Sequence, residues 1–321
     1  MRPHGIMFHH FHDDRHPAGQ GSLSADDLAQ LIRFVGQERI LPAREWLAQA
    51  LAGRLGDDDL CLTFDDNLLC QYDVALPVLR EFGRTAFWFT PTSMMHGDPP
   101  RLELYRAFRV RCFDQIEDFY ETFFRTLATS DDAPRAERAL RQFQPSTYLA
   151  ECPFYTEADR RFRFVRDDVL GPQRYCQLMD ALIGSMGVEV AELATDLWMT
   201  PDHLRELHAD GHVIGLHSHT HPTRLAHLDR PQQLREYRDN YMCLMTLLGE
   251  PPVTMAHPCN SYTQETLATL RRLGIAVGFR ANRAIESHSE LEFPREDHAN
   301  IVRAIRRRET SYEASPASTA V

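Results

Sequence analysis

The chain has 321 residues, of which 43% are hydrophobic and 25% are charged, and its formal net charge at pH 7 is −11. These proportions are typical of a globular protein, and the negative charge argues against a nucleic-acid partner, which requires a concentrated positive surface. No run of about 18 apolar residues is present, so the sequence predicts no membrane span. The N-terminus lacks the basic start and apolar stretch of a secretory signal, and we therefore expect a cytoplasmic location.

The cysteines and the basic residues exclude further classes of protein. The 7 cysteines are odd in number, scattered and without a Cys-x-x-Cys pair, which argues against a disulfide framework and a thiolate zinc site. All 35 basic residues are arginine. Without lysine, neither a Schiff base nor a Walker-type phosphate loop can form.

Short apolar runs alternate with amphipathic helical patterns along most of the chain, which predicts βα units and a mainly parallel sheet. Helix starts are indicated by Ser24, which Asp27 follows three residues later, and by Thr200 before Pro201. The strands are predicted, in chain order, at residues 5–8, 60–64, 85–89, 212–216, 253–256, 275–279 and 291–293.

Residues 98–197 interrupt this alternation with helical patterns and no convincing strand. The patterns lie at residues 114–127, 136–143 and 174–186. We interpret the segment as a helical insertion after the third strand, within a domain formed by residues 1–97 and 198–305. In a parallel barrel such an insertion lies on the face that carries the active site, so it is either a lid or a packing and oligomer contact. Residues 306–321 are predicted to be a flexible tail.

Polar and ionisable residues cluster directly after the predicted strands. Where parallel strands curl into a barrel, their carboxyl ends meet on one face, so these groups are expected to converge although they are far apart in sequence. The clusters are His9-His10, Asp65-Asp66, His217-Ser218-His219-Thr220-His221, His257-Pro258-Cys259-Asn260 and Arg295-Glu296-Asp297-His298.

The residue types in these clusters predict a metal-dependent hydrolase. His217 and His221, four residues apart, fall on one side of a helical turn, as bidentate metal binding requires. Two imidazoles and one carboxylate leave a position on Zn²⁺ or a similar ion open for water, whose pKa the ion lowers. The adjacent Asp65 and Asp66 can divide the remaining roles, one binding the metal and the other taking a proton from the water. This arrangement suits hydrolysis of an amide or an ester.

Three motifs resemble those of the polysaccharide deacetylases of the NodB-homology type. They are Thr63-Phe64-Asp65-Asp66, the pair His217-Ser218 followed by His221, and the loop that contains Pro258. The resemblance extends over residues 5–95 and 198–303. It implies an α/β fold, namely an irregular (β/α) barrel with fewer strands than the regular eight, and it leaves the helical insertion unexplained. Together with the strands predicted above, the expected fold is an irregular (β/α) barrel of about seven parallel strands with a helical insertion after the third strand.

The same resemblance implies roles for individual residues. Asp65 is the expected general base. Asp66, His217 and His221 are the expected ligands of one divalent metal, and Zn²⁺ is the expected ion. The backbone N–H of Cys259 is expected to donate to the tetrahedral oxyanion.

The loop after the fifth strand departs from the family pattern. Residues 256–260 read Ala-His-Pro-Cys-Asn, without the arginine that precedes the proline in the family. Arg295 is therefore predicted to steady the base, and Asp297, two residues further along, is assigned to the same catalytic site.

The general acid must also come from an unusual position, because the C-terminal leucine-x-histidine motif that carries it in the family is missing. Some permuted relatives place the acid in a tyrosine-histidine pair at the end of the first strand. Phe8-His9 of this chain resembles that pair, so His9 is the predicted acid, and His10 and His298 are the alternatives.

These inferences predict a cytoplasmic, zinc-dependent enzyme that removes an N-acyl group, most simply N-acetyl, from an amino sugar in glycan biosynthesis or modification. The expected substrate is a nucleotide-linked or lipid-linked precursor. Two alternatives stay open: an amidohydrolase that acts on a small non-sugar amide, and a non-catalytic sugar-binding protein with a vestigial metal site. The sequence specifies neither the sugar nor the oligomeric state.

Overall fold

Seven parallel strands form the sheet at the centre of the fold. The computed structural model describes residues 3–150, 155–283 and 289–307. The strands are β1 His4–Phe8, β2 Leu60–Asp65, β3 Phe87–Thr90, β4 Val213–Leu216, β5 Thr254–Ala256, β6 Val277–Phe279 and β7 Arg295–Asp297. Their order across the sheet is β6-β5-β4-β3-β2-β1-β7, and each pairing between neighbours is parallel.

The two edges of this sheet meet through the segment that precedes β7. Phe279 of β6 forms a parallel bridge with Phe293. The N–H of Phe293 donates to the carbonyl of Gly278 at 2.8 Å, and the N–H of Arg280 donates to the carbonyl of Phe293 at 2.9 Å. The strands therefore form a nearly closed barrel, and the predicted fold class is confirmed.

The position of the seventh strand differs from the prediction. The apolar run at residues 291–293 was expected to be this strand, but it forms the bridge across the gap, and the strand itself is Arg295–Asp297. The polar strand is held by backbone pairing with β1, in which Gly5 lies opposite Arg295. Arg295 and Asp297 consequently lie within a strand instead of after one.

Successive side chains of a strand point to opposite faces of the barrel wall, and an apolar layer lies on each face. In β2, Phe64 belongs to the larger layer, which includes the surrounding helices, while Cys61 belongs to a smaller cluster. Asp65 has the same parity as Cys61 in β2, so it faces this inner side at the carboxyl end of the strand. The smaller cluster consists of Ala43, Trp46, Ala50, Cys61, Phe87, Phe89, Ala256, Val277 and Phe279.

Three helices occur in the connections between the first three strands. They are α1 Ala25–Val35, α2 Ala43–Leu51 and α3 Leu76–Glu81. Ser24 and Asp27 form a reciprocal capping box at the start of α1, as predicted.

The insertion after β3 is helical, as predicted. Its helices are α4 Arg101–Cys112, α5 Ile116–Ala128, α6 Ala133–Leu140, α7 Glu157–Phe164, α8 Gly171–Ser185 and α9 Val190–Ala194. Residues Arg101–Thr195 form a compact unit with its own contacts. Buried aromatic side chains fill that unit, among them Phe108, Phe119, Phe123, Phe162 and Tyr175.

The remaining helices follow the insertion and complete the barrel. They are α10 Pro201–Ala209, α11 Arg230–Leu248, α12 Gln264–Arg272 and α13 His298–Arg306. Thr200 caps α10, and Pro201 lies in its first turn, as predicted.

The C-terminal prediction lies mostly outside the described residues. Of the predicted tail at 306–321, Arg306 ends α13, and residues 308–321 are not described. Across the described ranges, no helix is both long and apolar enough to cross a membrane.

Candidate active site

The carboxyl ends of β2 and β4 bring three possible metal ligands together. Ligand atoms of Asp66, His217 and His221 all lie within 4.8 Å of one another, and the three residues are buried. Nε2 of His217 lies 3.5 Å from Oδ1 of Asp66, and Nε2 of His221 lies 3.3 Å from the same oxygen. This is the only such group of three among the described residues.

The loop that carries the two histidines is not the helical turn that their spacing suggested. Ser218 and His221 have φ angles of 58° and 55°, in the left-handed region that residues other than glycine rarely adopt. Asp66 also has a positive φ, at 79°. Such conformations cost free energy and persist where surrounding contacts impose them. The two imidazoles nevertheless converge, with ring centroids 4.8 Å apart.

The chemistry of the three side chains fits a zinc ion. Nδ1 of His217 lies 2.9 Å from the carbonyl oxygen of Ala256, so a neutral ring that keeps its proton on Nδ1 would leave the Nε2 lone pair for a metal ion held together with Asp66. Burial alone would raise the pKa of Asp66, but His221 and His217 hold it well below its usual value. Ligand atoms bound to a tetrahedral Zn²⁺ at about 2.0–2.1 Å lie about 3.4 Å apart, which is close to the separations found here.

Asp65, the neighbour of Asp66, is bound by an arginine. Two guanidinium nitrogens of Arg295 donate to the two carboxylate oxygens of Asp65, at 2.7 and 2.8 Å, and both residues are buried. Nε of Arg295 also donates to the carbonyl of Arg280 at 2.7 Å, which fixes the guanidinium plane. Burial alone would raise the pKa of Asp65, but the charges of Arg295 and His217 keep it below its usual value. Asp65 is therefore an ionised carboxylate that is held in one orientation beside the three possible ligands.

His9 lies on the open side of this group. Its Nε2 is 3.7 Å from Oδ2 of Asp65 and 4.0 Å from Oδ2 of Asp66. The His9 side chain is 30% exposed, whereas that of Asp65 is 2% exposed, so His9 borders both the carboxylates and the solvent.

The two alternative acids have other surroundings. Alternation along a continuing strand would send His9 and His10 in opposite directions, but β1 ends at Phe8, and the two rings are nearly parallel with centroids 6.1 Å apart. The ring nitrogens of His298 lie 3.1 Å from the carbonyl oxygen of Met7 and 3.0 Å from that of Gly21. Both nitrogens of His298 are therefore engaged by backbone oxygens.

The other two predicted catalytic residues are Asp297, at the end of β7, and Cys259, in the loop after β5. Asp297 caps α13, where its Oδ1 accepts a hydrogen bond from the N–H of Ala299 at 2.8 Å. In the described ranges no hydrogen bond or ion pair joins Asp297 to Asp65. Cys259 is exposed in the loop after β5, and its φ of 49° is in the left-handed region.

His257, which stands where the family has arginine, is a buried neutral group. Its Nε2 lies 2.9 Å from the carbonyl oxygen of Leu291, and its ring stacks on Tyr262 with centroids 4.0 Å apart. Burial lowers the pKa of His257 to about 4. The side chain therefore carries no charge near neutral pH, and the cation beside Asp65 is Arg295.

Three residues near the site were missed because they do not follow strands directly. Nε2 of Gln71 donates to the backbone carbonyls of His9 and Asp65, at 2.7 and 2.6 Å. Glu236 and Asn240 of α11 bind the backbone of the histidine loop. One signal was available for Asn240, because it falls in the i, i+4, i+7, i+11 stripe of buried residues in α11, where an amide requires partners.

The fold and the site together define a parallel (β/α) barrel with a candidate Asp-His-His metal site at the carboxyl ends of its strands. The family model described as polysaccharide deacetylase matches residues 179–278, a span that includes both histidines and the Pro258 loop. The predicted resemblance to the polysaccharide deacetylases is thereby confirmed. No curated protein matches the chain in sequence.

Solved structures of deacetylases share this fold. The deacetylase PplD of Streptococcus pyogenes, in complex with acetate, is 15% identical, with 96% of this chain and 97% of that chain covered and a TM-score of 0.56. IcaB from Ammonifex degensii is 14% identical, with 92% and 91% covered and a TM-score of 0.50. BC0361, a polysaccharide deacetylase from Bacillus cereus, is 10% identical, with 96% and 68% covered and a TM-score of 0.50.

Proposed function

We propose that this chain is a metal-dependent hydrolase that removes an N-acetyl group from an amino sugar. The observation that carries the proposal is that two adjacent aspartates have different partners, which suit different roles. Asp66 faces His217 and His221 at distances that suit shared metal binding, while Asp65 is bound by Arg295. The family match and the shared fold support a carbohydrate as the substrate.

In this proposal Asp66, His217 and His221 would hold Zn²⁺. When bound, the ion polarises the acyl carbonyl and lowers the pKa of a water molecule. Asp65 would take a proton from the attacking water molecule as the oxygen of this water bonds to the acyl carbon. Arg295 keeps Asp65 oriented and ionised before the transfer, and the backbone N–H of Cys259 donates to the oxygen on which negative charge develops.

The second half of the reaction requires an acid. His9 donates a proton to the sugar nitrogen as the C–N bond breaks, because an amine leaves poorly until it is protonated. The products are acetate and the free amino sugar. Residence in the cytoplasm and a role in glycan biosynthesis remain predictions.

The test is acetate release from N-acetylated glucosamine oligosaccharides and nucleotide-linked N-acetyl sugars by the zinc-loaded full chain. His217→Ala and His221→Ala should abolish tight zinc binding and acetate release. His219→Ala, from the same loop, is the matched control and should retain both. Zinc bound equally well by the first two variants would place the metal elsewhere. Hydrolysis of small non-sugar amides alone would favour the amidohydrolase alternative.

A further inference from the structure

The backbone of the histidine loop, residues 217–221, is bound by two side chains of α11. The N–H of His217 donates to Oδ1 of Asn240 at 2.9 Å. The N–H groups of His219 and Thr220 donate to Oε2 of Glu236 at 3.0 and 2.8 Å, and the Thr220 hydroxyl donates to Oε1 of Glu236 at 2.7 Å. Glu236 and Asn240 are four residues apart, so they lie on the same face of the helix.

Asn240 also joins this loop to the end of β3. Its side-chain amide nitrogen donates to the carbonyl of Thr90 at 2.9 Å and to Oγ1 of Thr92 at 3.1 Å. With the bond from His217, the fully buried amide uses its two donors and one acceptor. Neither a carboxylate nor an alkyl group of similar size could replace it without leaving buried polar groups unpaired.

The conformation of the loop explains why such contacts are needed. Two of its residues, Ser218 and His221, have left-handed backbone conformations although neither is glycine. Such conformations cost free energy and require surrounding contacts to stabilise them. The positions of both imidazoles depend on this conformation. The contacts from α11 satisfy the loop N–H groups only when the loop has this shape.

We propose that Asn240 and Glu236 are positioning residues that hold residues 217–221 in the metal-binding conformation. This inference rests on the proposed metal site. It differs from a general packing role, because another buried amide of α11 is available for comparison. Gln233 donates to the carbonyl of Leu228 at 2.9 Å and accepts from Oγ1 of Thr266 at 2.6 Å, and these contacts do not involve the loop.

The experiment compares zinc binding by two pairs of variants of the full chain. Asn240→Ala and Gln233→Ala each remove a buried amide from α11. Glu236→Ala and Asp239→Ala each remove a carboxylate, and that of Asp239 pairs with Arg238 at the surface. Zinc affinity is measured by titration of the metal-free protein, and the melting temperature is measured with and without zinc.

Asn240→Ala and Glu236→Ala should bind zinc about 10–100-fold more weakly, the usual effect of losing a group that orients a metal ligand. Their zinc-induced rise in melting temperature should shrink accordingly, because that rise depends on the ratio of zinc concentration to Kd. Gln233→Ala and Asp239→Ala should bind zinc as the unaltered chain does, whatever happens to their metal-free melting temperatures.

Unchanged zinc affinity in Asn240→Ala and Glu236→Ala would overturn the inference, even if both melt at a lower temperature. Glu236 is only partly buried, so its variant should fold if the Asn240 variant does not. The two proposals fail in different ways. Zinc retained by His217→Ala would overturn the metal site, whereas zinc lost from His217→Ala but retained by both α11 variants would overturn the positioning role alone.

Discussion

At the scale of single residues, two identical side chains in adjacent positions have opposite surroundings. Asp65 ends β2 and faces Arg295, while Asp66 adopts a positive φ and faces two imidazoles. A continuing strand would send the two carboxylates to opposite faces, and the turn at Asp66 prevents this. A shared function for the pair therefore depends on one unusual backbone angle.

This difference predicts distinct results for two matched substitutions. Asp65→Asn should retain zinc but lose about 10²–10⁴-fold in kcat, because it removes the base and leaves the ligands intact. Asp66→Asn should bind zinc more weakly as well, since an amide oxygen is a poorer ligand than a carboxylate. Zinc content and acetate release, measured on the same samples, check the assignment, and equal zinc loss in both variants would contradict it.

His9 is the residue we expect to act as the acid. His9→Ala should lower kcat by about 10²–10⁴-fold with zinc content unchanged, because the amine would leave without a proton. His10→Ala is the matched control, since its ring lies beside that of His9. An active His9→Ala variant together with an inactive His10→Ala or His298→Ala variant would transfer the role.

Strand-end clusters predicted the residues that converge on the site, because parallel strands bring their carboxyl ends together. Position in such a cluster was less informative for Asp297, which caps a helix, and for His298, which is held by backbone carbonyls. Gln71 and Asn240 were missed. Their contacts are mainly to backbone atoms of distant segments. The buried stripe of α11 indicates that Asn240 needs partners, but it does not indicate which partners.

At the scale of elements, β3 and β4 are linked by a histidine whose neutral form is required. Nδ1 of His212 accepts hydrogen bonds from the N–H of Ala86 and from Nε1 of Trp88, both at 3.0 Å. Burial lowers the pKa of His212 to about 4. Protonation of Nδ1 would remove the acceptor that both donors use.

The folded protein should therefore lose stability in acid through His212. Its pKa is about 4 when folded, against about 6.5 when unfolded, so its contribution is complete above pH 6.5 and disappears as pH falls through 4. Between about pH 7 and pH 5 the free energy of unfolding should fall by about 2 kcal/mol through this group. Urea unfolding of metal-free protein should show that His212→Asn removes this part of the pH dependence. His208→Asn, at a partly exposed position of α10, should leave it unchanged.

The seventh strand shows the limit of prediction for elements. Six strands coincide with apolar runs of the sequence and lie within a few residues of their predicted positions. The seventh is Arg-Glu-Asp, and its backbone pairing with β1 determines that it is a strand. Hydrophobicity alone favoured the neighbouring run that contains Leu291, which instead supports the join between the edges.

At the scale of the whole barrel, that join depends on a glycine. A Cβ atom on Gly278 would lie 2.5 Å from the carbonyl oxygen of Leu291 and 2.8 Å from its Cα. The N–H of Gly278 donates to the carbonyl of Glu290 at 2.8 Å. Backbone therefore packs directly on backbone where the two edges of the sheet meet.

Gly278→Ala should separate these segments and lower the free energy of unfolding by about 1–3 kcal/mol, the usual cost of an added methyl group in a packed interior. Thermal and urea unfolding measure the loss. Gly184→Ala is the control, because a Cβ at that helical position would meet no atom within 4 Å. Equal stability of the two variants would show that the edges can part without cost.

The short distance between His9 and Asp65 has a consequence for the proton balance of the proposed reaction. Each turnover leaves Asp65 with one proton too many and His9 with one too few. The 3.7 Å between Nε2 of His9 and Oδ2 of Asp65 allows the surplus proton to return through a small approach of the two groups or through one water molecule. The protonation states of both groups would then be restored without proton exchange with the buffer. When both groups are protonated or both are deprotonated, the exposed edge of His9 would exchange a proton with bulk water.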